Sequence, residues 1–325
     1  LTSKDGKQVI LAAIANDFGD YTLPEKYEKI ASGAFSGANI TSIVFANPDI
    51  VIGAFAFNEC TSLTAVIFPD TVSENATVGE RAFNGCAELA TVVNLDKLKN
   101  VDKYGFANTG LREIVIGAGA QLGEGAFFQS KVEKLTVGAN SSFGMGSFQR
   151  CTLLETVVMP DGGNVHFGAD CFAYCTSLTS IDLSKTDKII EAETFYGCTS
   201  LMSVNLDKVT SVGAYAFADC ARLSGVINAM SLKEIGDGAF SRATERGTAP
   251  IFEAIALDSV ETIGDGAFMG CAGLSEITLP DTLTKIPDFA FSFNVNLRKV
   301  TLPETVTEIG QYAFRGCENL ESINL

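Results

Sequence analysis

Apolar residues along this chain recur on two nested periods. The longer one is marked by Phe35, Phe57, Phe83, Phe106, Phe127, Phe148, Phe172, Phe195, Phe217, Phe240, Phe268, Phe291 and Phe314, thirteen positions mostly 21–24 residues apart. Five residues before each of them stands another apolar side chain, from Ile30 and Ile52 through Phe143 and Phe167 to Ile286 and Ile309. The shorter period is two. It lies in segments of the form L-x-x-I-x-L, such as "LTSIDL" (Leu178, Ile181, Leu183), "LSEITL" (Leu274, Ile277, Leu279) and "LRKVTL" (Leu297, Val300, Leu302). Alternation over so few residues predicts one short strand per repeat with a single inward face. A strand that short cannot stand alone, so the repeats must stack and share a core.

The rest of each repeat turns the chain around. "LPDT" or "LDK" after the strand is a turn signal, and the apolar-Gly-x-x-Ala-Phe segment is expected to form a short helical or 3₁₀ turn. Gly stands four before the Phe in nine of the thirteen repeats, supplying either a backbone angle or a close approach that a Cβ would block. The position three before is often acidic (Glu80, Glu124, Asp237, Asp265, Asp288), which suits the N–H groups and dipole at the start of a helical turn. The expected fold is therefore an α/β repeat: a solenoid of thirteen coils of about 23 residues, with a parallel strand ladder, turns and short helical or 3₁₀ segments. "YTLPEKYEKI" (21–30) aligns with "VTLPETVTEI" (300–309), so the solenoid is expected over 21–325. Residues 1–20, with Asp5-Gly6 at a turn, are expected to form an N-terminal capping hairpin. The chain stops at Leu325 just after a strand, which predicts an open coil edge there, suited to a further domain or to self-association.

Taken together, the pattern I-G-x-x-A-F-x-x-C-x-x-L-x-x-I-x-L-P resembles the BspA-type leucine-rich repeat of surface proteins from gut and oral bacteria and some parasitic protists. The resemblance runs over residues 21–325. It implies an extracellular or cell-surface, adhesin-like module that binds protein, with host extracellular-matrix or cell-surface proteins as the class of partner. It brings no catalytic residues and no cofactor. A passive spacer presenting another domain is the alternative role.

Composition narrows the classes further. The formal charge of −16 opposes any polyanion, and no basic stripe interrupts it, which argues against nucleic acid. No apolar run is long enough to span a bilayer, and because the chain begins at Leu1 the lack of a leader is uninformative. Eight of the nine cysteines (Cys60, Cys86, Cys151, Cys175, Cys198, Cys220, Cys271, Cys317) fall three after the repeat Phe, where other repeats have Ala38, Thr109, Ser130, Ala243 or Asn294. That slot takes a small residue, and whole-repeat spacing is unlike a zinc site. A ladder of buried thiols is expected, with Cys171 and Cys175 the only local pair. His166, the single histidine, occupies a variable position filled elsewhere by Lys29, Ser211 or Glu234, so it is read as exposed rather than catalytic. "GAGAQLG" (117–123) lacks the third glycine of a dinucleotide loop, and repeat phase accounts for Gly123. The sequons at Asn39, Asn75 and Asn140 matter only in a eukaryotic secretory pathway.

A partner surface is expected on the outward positions of the strands. These read Val44, Ile67, Val93, Val115, Thr136 and Val158 in the first six repeats, then Asp182, Asn205, Ile227, Ala256, Thr278, Thr301 and Asn324. The first set is apolar and β-branched, which fits an interaction surface but is also what strands favour. A second candidate is the insertion "SRATERGTAPIF" (241–252), where Arg242 and Arg246 make a basic spot on an acidic protein.

Overall fold

The computed structural model describes residues 8–9, 19–242 and 250–324. Its backbone divides into two compact units, Leu1–His166 and Phe167–Leu325. Each unit is a parallel β-solenoid.

In the first unit the long strands Gly19–Leu23, Ile40–Phe45, Ala65–Ile67 and Thr91–Val93 pair side by side, and Glu113–Ile116, Lys134–Val137 and Thr156–Val158 form a second stack. Register follows the repeat: Thr22, Val44, Ile67 and Val93 lie abreast, as do Val115, Thr136 and Val158. The apolar residue five before each Phe lies in two-residue strands, such as Lys29–Ile30, Val51–Ile52 and Thr77–Val78, that form another parallel ladder. Gln8–Val9 joins this ladder parallel to Lys29–Ile30, whereas the hairpin expected around Asp5-Gly6 lies outside the described residues.

The second unit keeps the two-residue ladder (Ile189–Ile190, Ser211–Val212, Glu234–Ile235, Thr262–Ile263) and has long-strand pairs at Ser224–Ile227 with Ile251–Ile255 and at Glu276–Thr278 with Lys299–Thr301.

Both cores are built on the phenylalanine column. In the first unit, successive rings from Phe35 to Phe148 stack nearly parallel, with Phe57–Phe83 at 5.1 Å and Phe127–Phe148 at 5.2 Å. In the second, Phe172 to Phe314 do the same, with Phe195–Phe217 at 5.3 Å and Phe268–Phe291 at 5.5 Å. One buried ring per coil against one above and one below is what lets a two- or three-residue strand persist.

The segment leading into each Phe is not helical, which corrects the α/β expectation. Among the described residues there is no α-helix, and the two 3₁₀ turns lie elsewhere in the repeat, Leu95–Lys97 after the strand Thr91–Val93 and Leu183–Lys185 after the bridge residue Ser180. The cause is a left-handed residue two before and two after nearly every repeat Phe, for example Phe55 and Glu59 around Phe57, or Tyr104 and Asn108 around Phe106. A positive φ every fourth residue breaks helical continuity. It frees alternate N–H groups for the next coil, as where Phe57 N donates to Ala82 O and Glu59 N to Asn84 O. The acidic positions have a matching role: Asp237 accepts from Asp265 N (2.9 Å), Asp265 from Asp288 N (3.1 Å) and Asp288 from Gln311 N (2.7 Å). These carboxylates cap the neighbouring coil rather than a helix dipole.

The glycine four before the Phe serves close approach. A Cβ on Gly123 would lie 2.7 Å from Lys103 N, and one on Gly213 2.6 Å from Ala192 N. Neither has a positive φ, so the lack of a side chain, not backbone freedom, is what the position requires.

Candidate functional site

The outward row of the first unit is where the strand pattern placed it. Val115, Val158 and Val93 are 50%, 41% and 40% exposed, while Val44, Ile67 and Thr136 are half-buried. Their inward neighbours Ile43, Val66, Ile114 and Leu135 are buried, which fixes the direction of the row. At its start Asp20 accepts hydrogen bonds from Ser42 (2.7 Å) and Thr41 (3.1 Å), which hold its carboxyl below the ordinary range.

The second unit carries a polar row, with one correction. Ile227, expected to face outward, is buried at 1%, and Val226 beside it is 62% exposed. The register against Ile251–Ile255 shifts between Gly225 and Val226, and Gly225 has a φ of 75°. The buried Leu223 and Ile227 stand four residues apart where Leu201 and Val204 stand three apart, so this coil carries one extra residue and Asn228 becomes its outward residue. The row then reads Asp182, Asn205, Asn228, Ala256, Thr278, Thr301 and Asn324. Several of these side chains bind nearby backbone: Asp182 accepts from Ser184 N and Asn205 from Asp207 N (both 2.9 Å), and Asn324 exchanges hydrogen bonds with the Leu302 backbone at 2.8 Å.

Of the insertion, Arg242 is half-buried, its backbone N–H donating to Met269 O at 2.8 Å, and Arg246 lies outside the described residues. His166 is half-buried at the start of the strand His166–Phe167.

The strand pattern gave no hint of a second surface, built on the turns. The left-handed position two before the Phe is occupied by Phe55, Arg81, Tyr104, Tyr215, Phe289 and Tyr312, although Gly125, Gly146, Gly238 and Gly266 show that glycine serves there. A bulky residue at positive φ costs about 1 kcal/mol. In the first unit, the Arg81 guanidinium lies 5.7 Å from the Phe55 ring centroid and 5.3 Å from that of Tyr104, and Phe128 meets Tyr104 edge-on at 5.8 Å. Beside them Asn84 donates to Asn58 (2.9 Å) and Asn108 to Asn84 (3.0 Å), lining an open cleft of about 480 Å³. Glu124 accepts from Lys103 at 2.7 Å and from the Tyr104 hydroxyl at 3.2 Å, and the lysine bond is the main reason its carboxyl stays below the ordinary range.

The second unit has two such clusters. Arg315 sits 5.6 Å from the Phe293 ring and 5.3 Å from the Tyr312 ring, and Phe289 packs on Tyr312 at 5.3 Å. Tyr174 meets Tyr196 edge-on at 5.2 Å, and with Glu193 and Tyr215 they line an open cleft of about 290 Å³. Burial, then the charge of Asp219, pushes the Tyr196 hydroxyl up to about 12; burial, then Asp170, raises Glu193. The sequence signal for these sites is aromatic residues in a glycine-compatible slot.

No disulfide joins any of the nine cysteines. The Sγ of Cys60 donates to Phe35 O at 2.9 Å, that of Cys151 to Phe127 O at 3.1 Å and that of Cys220 to Phe195 O at 3.3 Å. Where cysteine is absent, Ser130 Oγ reaches Phe106 O at 2.8 Å. In these coils the slot supplies a small donor to the preceding coil, while Ala38 fills it by size alone. Burial pushes the thiols up from 9.0, to about 11 for Cys60 and about 12 for Cys151 and Cys198.

The model of the BspA type leucine rich repeat region matches this chain in six copies, over residues 28–155, 120–246 and 246–325. Among solved structures, a leucine-rich repeat protein from Bacteroides ovatus is 25% identical, with 99% of this chain and 91% of that chain covered and a TM-score of 0.66. A leucine rich cell surface protein from Faecalibacterium prausnitzii is 21% identical over 100% of this chain and 92% of its own, with a TM-score of 0.51, a likeness of fold. No curated protein sequence matches the chain.

Proposed function

From a chain that belongs to the BspA-type leucine-rich repeat family, we infer a protein-binding module of a cell surface, adhesin-like and extracellular. The observation that carries this reading is the outward row of the first unit. Three valines exposed by 40–50% stand on two successive ladders whose other face is locked into the core. Exposed apolar side chains on a rigid sheet can be covered by a partner without an ordering cost, and their removal from water supplies affinity. Val44, Ile67, Val93, Val115 and Val158 are the proposed contact residues, with host extracellular-matrix or cell-surface protein as the class of partner. Arg242 and Arg246 form a separate proposed contact.

The test is binding of the purified chain to immobilised matrix and serum proteins at low and high salt, next to a triple variant Val93→Thr, Val115→Thr, Val158→Thr. The expected result is a saturable protein hit, insensitive to salt, weakened about tenfold or more in the variant with the thermal midpoint unchanged. Equal binding by the variant removes the strand row from the interface, and no hit on any surface favours the spacer reading.

A further inference from the structure

We propose that Tyr174, Glu193, Tyr196 and Tyr215 of the second unit form a receptor for the guanidinium of an arginine side chain presented by a partner polypeptide. The site is an open cleft of about 290 Å³ lined by these four residues. Two tyrosine rings meet at right angles, 78° between planes, and make two walls of different orientation. Glu193 supplies a carboxylate, and it makes no ion pair among the described residues.

The molecule itself shows what such a wall accepts. In the first unit the aromatic pair Phe55 and Tyr104 receives the guanidinium of Arg81, and in the last coils Phe293 and Tyr312 receive that of Arg315. Both arginines come from the chain's own turn positions. The cleft likewise offers rings from successive coils, Tyr174, Tyr196 and Tyr215, and adds a carboxylate, the combination that suits a cation entering from outside. A planar guanidinium can stack on one ring while donating to Glu193, which a lysine ammonium cannot do in the same pose.

The backbone supports selection of these side chains. Tyr174, Glu193 and Tyr215 have φ values of 61°, 56° and 55°; later coils fill the slot of Tyr174 with Gly197 and the slot of Glu193 and Tyr215 with Gly238 and Gly266. Three residues thus hold a conformation that glycine would hold more cheaply. Burial and the nearby Asp170 raise Glu193, the condition of a carboxylate short of positive charge, which a bound guanidinium would relieve. The formal charge of −16 draws cationic segments toward the protein before contact.

The experiment is a titration of the intact chain, its tyrosine rings labelled for NMR, with Nα-acetylarginine amide, its neutral citrulline analogue and tetramethylammonium. The expected result is saturable shifts of the Tyr174, Tyr196 and Tyr215 rings with the arginine probe, at least about tenfold weaker with citrulline. Glu193→Gln and Tyr215→Gly should each weaken arginine about fivefold, and the glycine variant keeps the residue type native to the next coil, so folding is preserved. The strand triple variant should leave this binding unchanged, which separates failure here from failure of the proposed strand interface. Equal binding of citrulline, unchanged binding by both site variants, or no ring shift overturns the proposal. Tighter binding of tetramethylammonium than of arginine overturns the assignment to a guanidinium.

Discussion

The outward rows of the two units stand on cores of the same design yet behave differently as sheets. In the first unit, Val44, Ile67 and Val93 sit abreast in strands of three to six residues. In the second, Asp182 and Asn205 occupy the same position, and the ladder between their coils shrinks to the single bridge Ser180–Ser203. Their side-chain oxygens accept N–H groups two residues on, at 2.9 Å each, so the backbone turns where a β-branched residue would keep it extended. The rule does not cover the break inside the first unit, which follows the apolar outward residue Val93. Asn94, next to Val93, adopts a left-handed φ of 63° and donates to Phe68 O and Pro69 O, and the long ladder stops there before restarting at Glu113–Ile116. Regular strands return in the second unit where Thr278 and Thr301 pair. The outward residue therefore sets the chemistry of the face and, at Asp182 and Asn205, the continuity of the sheet, while the inward residues set the coil.

If the core is common and only the face differs, removing one ring of the phenylalanine column should cost the same in either unit. Phe127 lies 5.5 Å and 5.2 Å from its neighbours, and Phe217 5.3 Å and 5.4 Å from its own. Phe127→Ala and Phe217→Ala should each destabilise by about 3–5 kcal/mol, read as the shift of a urea unfolding transition. A loss confined to one unit would break the comparison, because the two columns would then not be equivalent.

Much of this was legible in the sequence, and the limits have physical causes. The Phe column, the inward strand residues and the apolar row of the first unit follow from periods of about 23 and of two, which register cannot alter without exposing the core. The expected helical turn was misread because Ala-Phe flanked by an acid and a glycine suits a helix start equally well; only the left-handed residues on each side, such as Phe55 and Tyr104, exclude it. Ile227 is expected outward because the repeat spacing does not reveal the extra residue between Leu223 and Ile227. The turn-face clusters were overlooked because Phe55, Arg81, Tyr174, Glu193 and Tyr215 carry no periodicity of their own. Their signal is a bulky residue in a slot that glycine fills in other coils, Gly238 and Gly266 two before the Phe and Gly197 two after it.

The thiol ladder offers a comparison of intermediate size. Cys151 in the first unit and Cys198 in the second are both raised by burial from 9.0 to about 12. The folded chain keeps both protonated where the unfolded chain ionises, so between pH 9 and about 12 the unfolded state binds fewer protons. Their contribution is present in full below pH 9 and is lost as pH rises through that window, by about 1 kcal/mol per thiol per pH unit. Cys151→Ser and Cys198→Ser keep a donor, as Ser130 does, and should flatten the alkaline fall in stability equally. Urea unfolding at about pH 8 and about pH 10.5 reads this directly. Unequal slopes would mean that the two interiors differ as well as the two faces.

The smallest effect sharpens the comparison most. Asp182→Val with Asn205→Val replaces the two side chains that bend the backbone with the residue type found at Val93 and Val115. Stability should change by no more than about 1 kcal/mol, because the lost turn bonds are offset by strand pairing. The informative readout is amide hydrogen exchange. With the turn bonds gone, the Ser184 and Asp207 amides should exchange faster, while protection around residues 181–183 and 204–206 should rise about fivefold as the bridge Ser180–Ser203 extends into a ladder. Faster exchange at Ser184 and Asp207 with no gain elsewhere would show that the outward residue only decorates a break imposed by something else. Gain at both coils would show that the face of this solenoid can be switched between a broken polar edge and a continuous apolar sheet by one residue per coil.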